Sequence, residues 1–514
     1  MRIRIVGAGV MGRGIAQWAA TAGHTVELGD ISTDAVGAAV DFVRGMLDRA
    51  AAKGRLTEAE AAEAVARLVP LDSPWAPGDD VELVIEAARE DLDTKAEVFG
   101  KLAEALPSST VFATNTSSLS VTAIAATLDD PSRLAGLHFF NPVPLMKIVE
   151  VVPGAATRPE IPALLTELVR ATGHRAVIVA DTPGFLVNHA GRGLVTEALA
   201  LLEETVADVP GIDRIARDVL GLKMGPFELM DLTGLDVTAA VIDTIWHGFR
   251  HSDRLRPSFL TPNRVTAGLH GRKTGRGWYA YGPGDPAPAA VPEPPVTGDA
   301  KRPVRVAGTG PGTEALRSAL AASGAVLDDA ERPADEALVL VATWGTTVAE
   351  AVAGLDLPAA RTLGVDPLSL PTRRRVLAAT PATDPEAAAD ARAVLAAAGG
   401  GSAEPYAVSV VRDSPGSVAQ RLLVSIVSVA ASLAERGLAA PADIDLAVTT
   451  GLGYPHGPLA WGDTVGAPRL LALQQALHRT TGDPRYRPTR WLTERAQLGM
   501  SLTDPGNSPF PQAG

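Results

Sequence analysis

The sequence predicts an α/β domain followed by an all-α helical domain. This pair occurs twice, and the second α/β unit is shortened and degenerate. Three observations predict it. A glycine-rich turn at residues 7–12 stands between a strand pattern and a helix pattern. Strand and helix patterns alternate to about residue 180 and then give way to helical periodicity alone. The landmarks of the first 282 residues recur in order after residue 303.

The elements follow in chain order. Arg2–Val6 alternates polar and β-branched residues and reads as a buried strand. Gly7-Ala-Gly-Val-Met-Gly12 follows, then a helix through Ile15, Ala16, Trp18 and Ala19, then a second strand at Thr25–Leu28 ending on Asp30. The Ala-, Glu- and Arg-rich stretch Val36–Leu68 reads as a helical hairpin. Val81–Ile85, Val111–Ala113, Leu134–Leu137 and Ala176–Val179 are further short apolar strands, giving a parallel sheet to about residue 180. From Phe185 to about Thr244 the pattern is helical. Gly282–Thr297 is Pro/Ala-rich and reads as an extended linker.

Beyond the linker, Val304–Ala307 runs into Gly308-Thr-Gly-Pro-Gly312. Asp181-Thr-Pro-Gly184 returns as Asp413-Ser-Pro-Gly416, Gly225-Pro226 as Gly457-Pro458, and Asp231-Leu-Thr-Gly234 as Asp463-Thr-Val-Gly466. The offset is 301 at the glycine turn (308 − 7) and 232 at the later landmarks (457 − 225), so the second α/β unit is 69 residues shorter. The predicted organisation is therefore residues 1–183 (dinucleotide-binding), 184–282 (helical), 283–302 (linker), 303–412 (degenerate α/β) and 413–514 (second helical).

Composition narrows the chemistry. Hydrophobic residues make up 46% and charged residues 20% of 514, a globular balance. There is no cysteine, which excludes a disulfide scaffold, a Cys-ligated metal and a thiolate nucleophile, and suits a reducing cytoplasm. The net charge of −13 argues against a nucleic-acid partner. No apolar run reaches the ~18–20 residues a bilayer span needs. The most apolar helical stretch, Leu422–Leu433, is shorter and carries serines, and the N-terminus reads as a strand rather than a signal peptide.

Gly7, Gly9 and Gly12, with Val10 and Met11 between them, permit a tight turn and close approach of a pyrophosphate to a helix N-terminus. With its strand, its helix and an acidic residue 18 positions past Gly12, the turn carries the Rossmann pattern. Asp30 would accept hydrogen bonds from ribose hydroxyls and repel a 2′-phosphate, so NAD is expected over NADP.

His138 ends a strand at the sheet edge where α/β folds place their sites, and Glu150 follows twelve residues later, after the chain turns at two prolines. A carboxylate beside an imidazole is what a general base requires. Asn115-Thr-Ser-Ser118 follows another strand and offers polar groups to a substrate oxygen; Asn188 adds a second amide. Taken singly, each of these also reads as an ordinary turn, cap or buried polar residue.

Together the segments GAGVMGRGIA, IEAARED, TNTSSLSV, GLHFFNPVPLMKIVEVV, DTPGFLVN and KTGRGWY, in this order over residues 1 to about 282, resemble the 3-hydroxyacyl-CoA dehydrogenases. The duplicated layout, with GYPHGPLAWGD and GDPRYRP near the end, resembles bacterial members of that family that serve phenylacetate and fatty-acid catabolism. The resemblance implies NAD-dependent, reversible oxidation of (S)-3-hydroxyacyl-CoA, with 3-hydroxybutyryl or 3-hydroxyadipyl thioester as substrate. It implies His138 as base and Glu150 as its orienting partner, with Ser117 and Asn188 on the reacting oxygen and Asn141 supporting the site. It implies Asn115, Ser117, Glu90, Lys95 and Lys273 near the cofactor, and Lys53 on the hairpin at the CoA nucleotide. Met46 stands where the family has a CoA-contacting hydroxyl.

An adipyl chain needs a cation for its terminal carboxylate, and Arg13, Arg192 and Lys223 are the candidates. A non-CoA hydroxy acid or a carrier-bound acyl chain is the alternative substrate, and a non-catalytic NAD-binding scaffold is the alternative class. The second copy has Thr313 at its third glycine position, Asp366 where the first has His138, and Gln420 where it has Asn188. The shortening is expected to remove the hairpin and the strand that carries the Asn-Thr-Ser segment. No dehydrogenase site is expected there. Because the helical domains of this family dimerise, either a homodimer through them or a pseudo-dimer within one chain is expected.

Overall fold

Eight strands form the first sheet: β1 (Arg2–Val6), β2 (Thr25–Gly29), β3 (Leu68–Pro70), β4 (Leu83–Glu86), β5 (Val111–Thr114), β6 (Leu134–Phe139), β7 (Ile148–Pro153) and β8 (Arg175–Ile178). The computed structural model describes residues 1–284, 287–289, 291–330, 334–397 and 404–507. Residues 285, 286 and 290 of the expected linker, 331–333 and 398–403 of the second α/β unit, and 508–514 of the last segment lie outside the described residues. The strand order is β3-β2-β1-β4-β5-β6-β7-β8. The order reverses between β1 and β4, and there the carboxyl ends of an open sheet leave a crevice for a ligand.

Sequence reading missed two strands. β3 has only three residues. β7 runs antiparallel to β6, so the sheet is mixed rather than parallel throughout. The chain returns without a crossover helix because Leu145 N and Met146 N both bond Pro142 O (2.9 and 3.0 Å), closing a compact turn. Glu150, a charge in the middle of β7, hides the apolar run. A second buried charge, Arg4 in β1, is answered by its direct cross-strand neighbour Glu27, with Nε to Oε2 at 2.8 Å.

The expected hairpin consists of the helices Thr33–Ala52 and Glu58–Ala66. Thr57 and Glu60 form a reciprocal capping box that starts the second helix. Val36, Ala39, Val43 and Leu47 are buried along one stripe of the first, at helical spacing.

The chain divides into two compact units: Met1–His189 with Arg436–Leu452, and Ala190–Glu435 with Gly453–Gly506. The helix Pro441–Gly451 thus belongs with the first sheet rather than with the last helical segment. Ala180 N bonds Leu438 O (2.9 Å), and a Cβ on Gly451 would lie 3.1 Å from Val187.

The second unit holds a five-stranded sheet of β9 (Val304–Ala307), β10 (Leu338–Ala342), β11 (Thr362–Val365), β12 (Arg374–Ala379) and β13 (Ala407–Arg412), ordered β13-β12-β11-β10-β9. Its antiparallel β11–β12 pair repeats β6–β7. After β10, Val348 N and Ala349 N donate to Asp413 (2.8 and 3.0 Å), as Val121 N and Thr122 N after β5 donate to Asp181 (3.0 and 2.7 Å). β10 is therefore the counterpart of β5. This corrects the expectation that the strand carrying the Asn-Thr-Ser segment is lost. A remnant of β2 also survives as a bridge between Leu327 and Val304. Among the described residues, the part without a counterpart is the helical hairpin with β3 and β4.

The helix Ser417–Glu435 extends past the apolar stretch read from sequence. With 19 residues and mean hydropathy 1.6 it is long and apolar enough to cross a membrane, the one such helix among the described residues. Most of it is buried within the second unit, as in a core helix.

Candidate active site

The glycine turn leaves β1 with Gly7 at φ 106°. A Cβ on Gly12 would fall 1.7 Å from Gly7 O, so only glycine lets the helix pack against the turn. A Cβ on Gly9 would meet nothing within 4 Å, leaving an open face above the start of the helix Val10–Thr21. Asp30 Oδ2 accepts from Ala8 N at 2.7 Å and Oδ1 from Ser32 N at 3.0 Å, which ties the end of β2 to the turn. Val10 and Ile31 flank the turn and expose apolar surface, Ile31 to 88%. Ile31 escaped sequence reading, although an isoleucine directly after the acidic residue was its signal. An open glycine face, a helix N-terminus, a carboxylate and bare apolar side chains together fit a dinucleotide.

Two acids organise the next strand ends. Glu86 of β4 is buried and accepts Lys95 Nζ at 2.7 and 2.9 Å and Thr114 Oγ1 at 2.7 Å. Glu90 Oε1 accepts Thr116 Oγ1 (2.7 Å), Ser117 N (2.8 Å) and Ser118 N (2.9 Å), and its Oε2 lies 3.3 Å from Lys95. Burial would raise the Glu90 carboxyl, but these donors and the Lys95 ammonium hold it down to about 2. Glu90 thus ties down the Thr116–Ser118 loop. Lys95 is buried and paired with both carboxylates. Thr116 and Ser118 were singled out in sequence as polar groups for a substrate, but their bonding to Glu90 was not, because that partner is more than 25 residues away in sequence.

His138, at the end of β6, faces Glu150 directly across the antiparallel register, with Nδ1 2.6 Å from Oε2. Both are buried, and the imidazole packs between the rings of Phe140 and Phe185. With Nδ1 engaged, Nε2 is the nitrogen left for a substrate. Glu150 Oε1 accepts Leu186 N (3.0 Å) and Val187 N (2.8 Å), which fixes the short helix Val187–Ala190 that carries Asn188. Asn115 Oδ1 accepts Phe139 N at 2.9 Å and joins the ends of β5 and β6. His138, Asn188, Ser117, Asn115, Glu90, Lys95, Met11 and Asn141 all line one cavity of about 340 Å³. Lys273 belongs to the second unit, where its Nζ pairs with Asp236 at 2.6 Å.

Asn141 also borders a groove of about 820 Å³ between the hairpin and the loop after β6. Lys53 and Met46 lie on its wall with Arg13, Arg49, Arg55 and Lys147. Of the three cations considered for a terminal carboxylate, this wall includes Arg13, which stacks on Phe42 with 3.9 Å between guanidinium and ring centre. The groove joins five cations and no acid. Sequence reading singled out two of the five, Lys53 for the CoA nucleotide and Arg13 for a terminal carboxylate, because the others come together only when the hairpin folds onto the sheet.

A cavity of about 930 Å³ in the second unit, beside β13, has its charged residues occupied: Asp208 caps Gly211 N, Asp413 caps a helix and Arg412 bonds Thr205. In the second copy, Gln420 Nε2 donates to Asp366 Oδ1 (2.8 Å) and Thr343 O (2.9 Å), and its Oε1 accepts Gly345 N. Asp366 is fully buried and burial pushes it up to about 6. Asp366 N bonds Val376 O, so the residue opposite Asp366 is a valine where the first copy has Glu150.

The profile of the 3-hydroxyacyl-CoA dehydrogenase NAD-binding domain matches residues 2–182, and that of the C-terminal domain of the same enzymes matches residues 184–281 and again 416–506. The chain is 36% identical to a 3-hydroxyadipyl-CoA dehydrogenase of Escherichia coli over 496 residues, covering 96% of this chain and 97% of the relative. It is 38% identical over 280 residues to a probable 3-hydroxybutyryl-CoA dehydrogenase of Bacillus subtilis, covering 54% of this chain and 97% of that one. The crystal structure of an E. coli 3-hydroxybutyryl-CoA dehydrogenase superposes with a TM-score of 0.83 at 34% identity, covering 97% of this chain and 98% of that one.

Proposed function

The chain belongs to the 3-hydroxyacyl-CoA dehydrogenases, NAD-dependent enzymes that interconvert (S)-3-hydroxyacyl-CoA and 3-oxoacyl-CoA, and from that premise we propose which residues carry the reaction and which substrate it takes. The carrying observation is the His138–Glu150 pair, set at 2.6 Å in a cavity with Ser117 and Asn188.

His138 Nε2 takes the proton of the substrate 3-hydroxyl, and Glu150 stabilises the imidazolium that forms. In the reverse direction the same imidazolium protonates the forming alkoxide. Ser117 Oγ and Asn188 hydrogen-bond the reacting oxygen and the thioester, and Asn141 steadies the acyl chain where cavity and groove meet. Bound NAD supplies the hydride acceptor. Gly7, Gly9, Val10, Met11 and Gly12 hold its pyrophosphate and Asp30 its adenosine ribose; Asn115, Ser117, Glu90 and Lys95 border its nicotinamide end. Lys273 is assigned to the cofactor on its motif alone. Lys53, with its neighbouring arginines, holds the CoA phosphates.

The substrate we propose is 3-hydroxyadipyl-CoA, supported by the whole-length similarity to an enzyme of that name. A four-carbon substrate is the second reading, supported by the whole-length match to a 3-hydroxybutyryl-CoA dehydrogenase structure. A cytoplasmic setting without nucleic-acid or membrane partners fits the net charge of −13 and the burial of Ser417–Glu435.

Steady-state rates with four-carbon, six-carbon and ω-carboxy six-carbon 3-hydroxyacyl-CoA test the reading. The ω-carboxy thioester should give the highest kcat/KM with NAD. In His138→Gln, kcat should fall by about 10²- to 10⁴-fold with every thioester while NADH still binds. Turnover in His138→Gln equal to wild type would remove the assigned base.

A further inference from the structure

Two helical stretches, residues 184–281 and 416–506, match the same domain profile, and equivalent residues lie 232 apart up to Gly234 and Gly466 and 231 apart at the later Arg254 and Arg485. Equivalent positions meet. The helix Arg192–Glu203 packs on Ser417–Glu435, and a Cβ on Gly193 would fall 2.8 Å from the carbonyl oxygen of Ser425, its own equivalent. The segment Arg254-Leu-Arg-Pro returns as Arg485-Tyr-Arg-Pro, and Arg254 Nη1 donates to Arg485 O at 3.1 Å, again its own counterpart. A residue that touches its own equivalent lies at a two-fold axis, the mark of an isologous dimer interface.

The charges across this interface break the symmetry. Arg421 is fully buried, with Nε 2.6 Å from Glu197 Oε1 and Nη2 2.9 Å from Glu204 Oε1. Tyr486 Oη donates to Glu197 Oε1 at 2.6 Å, and Arg485 Nη1 lies 3.5 Å from Glu197 Oε2. In this buried cluster the acids come from the first copy and the cations from the second, while at its more exposed edge Arg256 of the first copy pairs with Asp483 of the second. The positions equivalent to Arg421 and Tyr486 hold His189 and Leu255, and the position equivalent to Glu197 holds Val429. Two first copies paired by the same operation would place Glu197 against His189 and Leu255. Two second copies would bury Arg421 against Val429 with no acid. The mixed pair satisfies every charge.

The two helical halves meet as the pseudo-dimer expected from the family's pairing of helical domains, and we propose that the Glu197–Arg421 cluster restricts this face to pairing first copy with second copy and excludes pairing of like copies. A buried ion pair with one member missing is strongly disfavoured, so the cluster acts as a filter on partners.

The test inserts a protease site after the exposed Gly284 in the full chain and follows cleavage by size-exclusion light scattering and mass spectrometry. The cleaved wild-type protein should stay a single particle of one N-terminal and one C-terminal piece. Arg421→Met and Glu197→Met should each weaken reassociation of the pieces about 100-fold or more, and the double variant should regain most of it. N-terminal pieces that leave as a homodimer, or single variants that hold together like wild type, overturn the proposal. The cleaved wild-type protein decides the matter even where a variant does not fold, because separation of its pieces or self-pairing of either one is incompatible with it.

Discussion

Glu150 uses its two oxygens for two tasks. One fixes the His138 imidazole and the other holds the amides that start the helix bearing Asn188. In Glu150→Gln the carboxamide oxygen still accepts Leu186 N and Val187 N, but its NH₂ donates to Nδ1 and moves the imidazole proton to Nε2. The base is then blocked in place. Oxidation should lose about 10²- to 10⁴-fold in kcat with little change in thermal midpoint, read by steady-state kinetics beside calorimetry. A variant that keeps wild-type kcat would show that the tautomer is set elsewhere. Glu90 gives a second prediction, with its sign fixed. Its carboxyl is at about 2 in the fold and near 4.5 unfolded, so the stability it contributes is full above about pH 4.5 and fades as pH falls toward 2. Unfolding midpoints of wild type and Glu90→Gln, measured from pH 6 to 2, should therefore converge at the acid end. His138 and Glu150 were legible in the sequence because one turn separates them. The Glu90 network was not, since it exists only once β4 and β5 lie side by side.

At the scale of elements, the helical hairpin is an insertion between β2 and β3 that adds a cationic wall to the sheet whose strand ends hold the proposed base. Arg49 and Lys53 stand four positions apart on the turn-end of its first helix, and Arg55 follows in the loop. Cations on one wall with no acid facing them hold phosphates by charge and remain soft to salt. Lys53→Glu should raise KM for CoA thioesters several-fold and leave kcat, and the KM for thioesters lacking the nucleotide, near wild type. An equal rise for both thioester types would move the nucleotide off this wall. The hairpin itself was legible from its Ala-, Glu- and Arg-rich composition. The antiparallel β7 was not, because Glu150 interrupts its apolar run and the turn before it has no glycine signal. The repeated Asp181 and Asp413 motifs were visible as repeats, but their shared job, capping the helix after β5 or β10, required the strands to be placed.

For the whole molecule, the repeat offsets showed a duplication and its net loss but not where the loss fell. The folded sheets locate it: among the described residues the helical hairpin, β3 and β4 have no counterpart, while β5 and β6, whose ends carry the proposed site, keep theirs. The residues equivalent to the proposed site therefore differ by substitution as well as by deletion of neighbouring elements. Asp366 and Gln420 bond each other where a substrate oxygen would lie, Val376 stands opposite in place of a carboxylate, and Trp344 donates its indole N–H to Arg469 O. At the glycine turn the third position is Thr313, buried, where the first copy can tolerate no Cβ at all. Filling a polar pocket with its own hydrogen-bonded side chains leaves little there beyond Asp366 Oδ2, which has no hydrogen-bond partner, to exchange for a ligand. Calorimetric titration of the full chain with NADH should thus give one site per 514 residues, and His138→Gln should leave that number at one. A stoichiometry of two would mean that the second glycine turn still binds a dinucleotide and that duplication preserved more than the pairing surface.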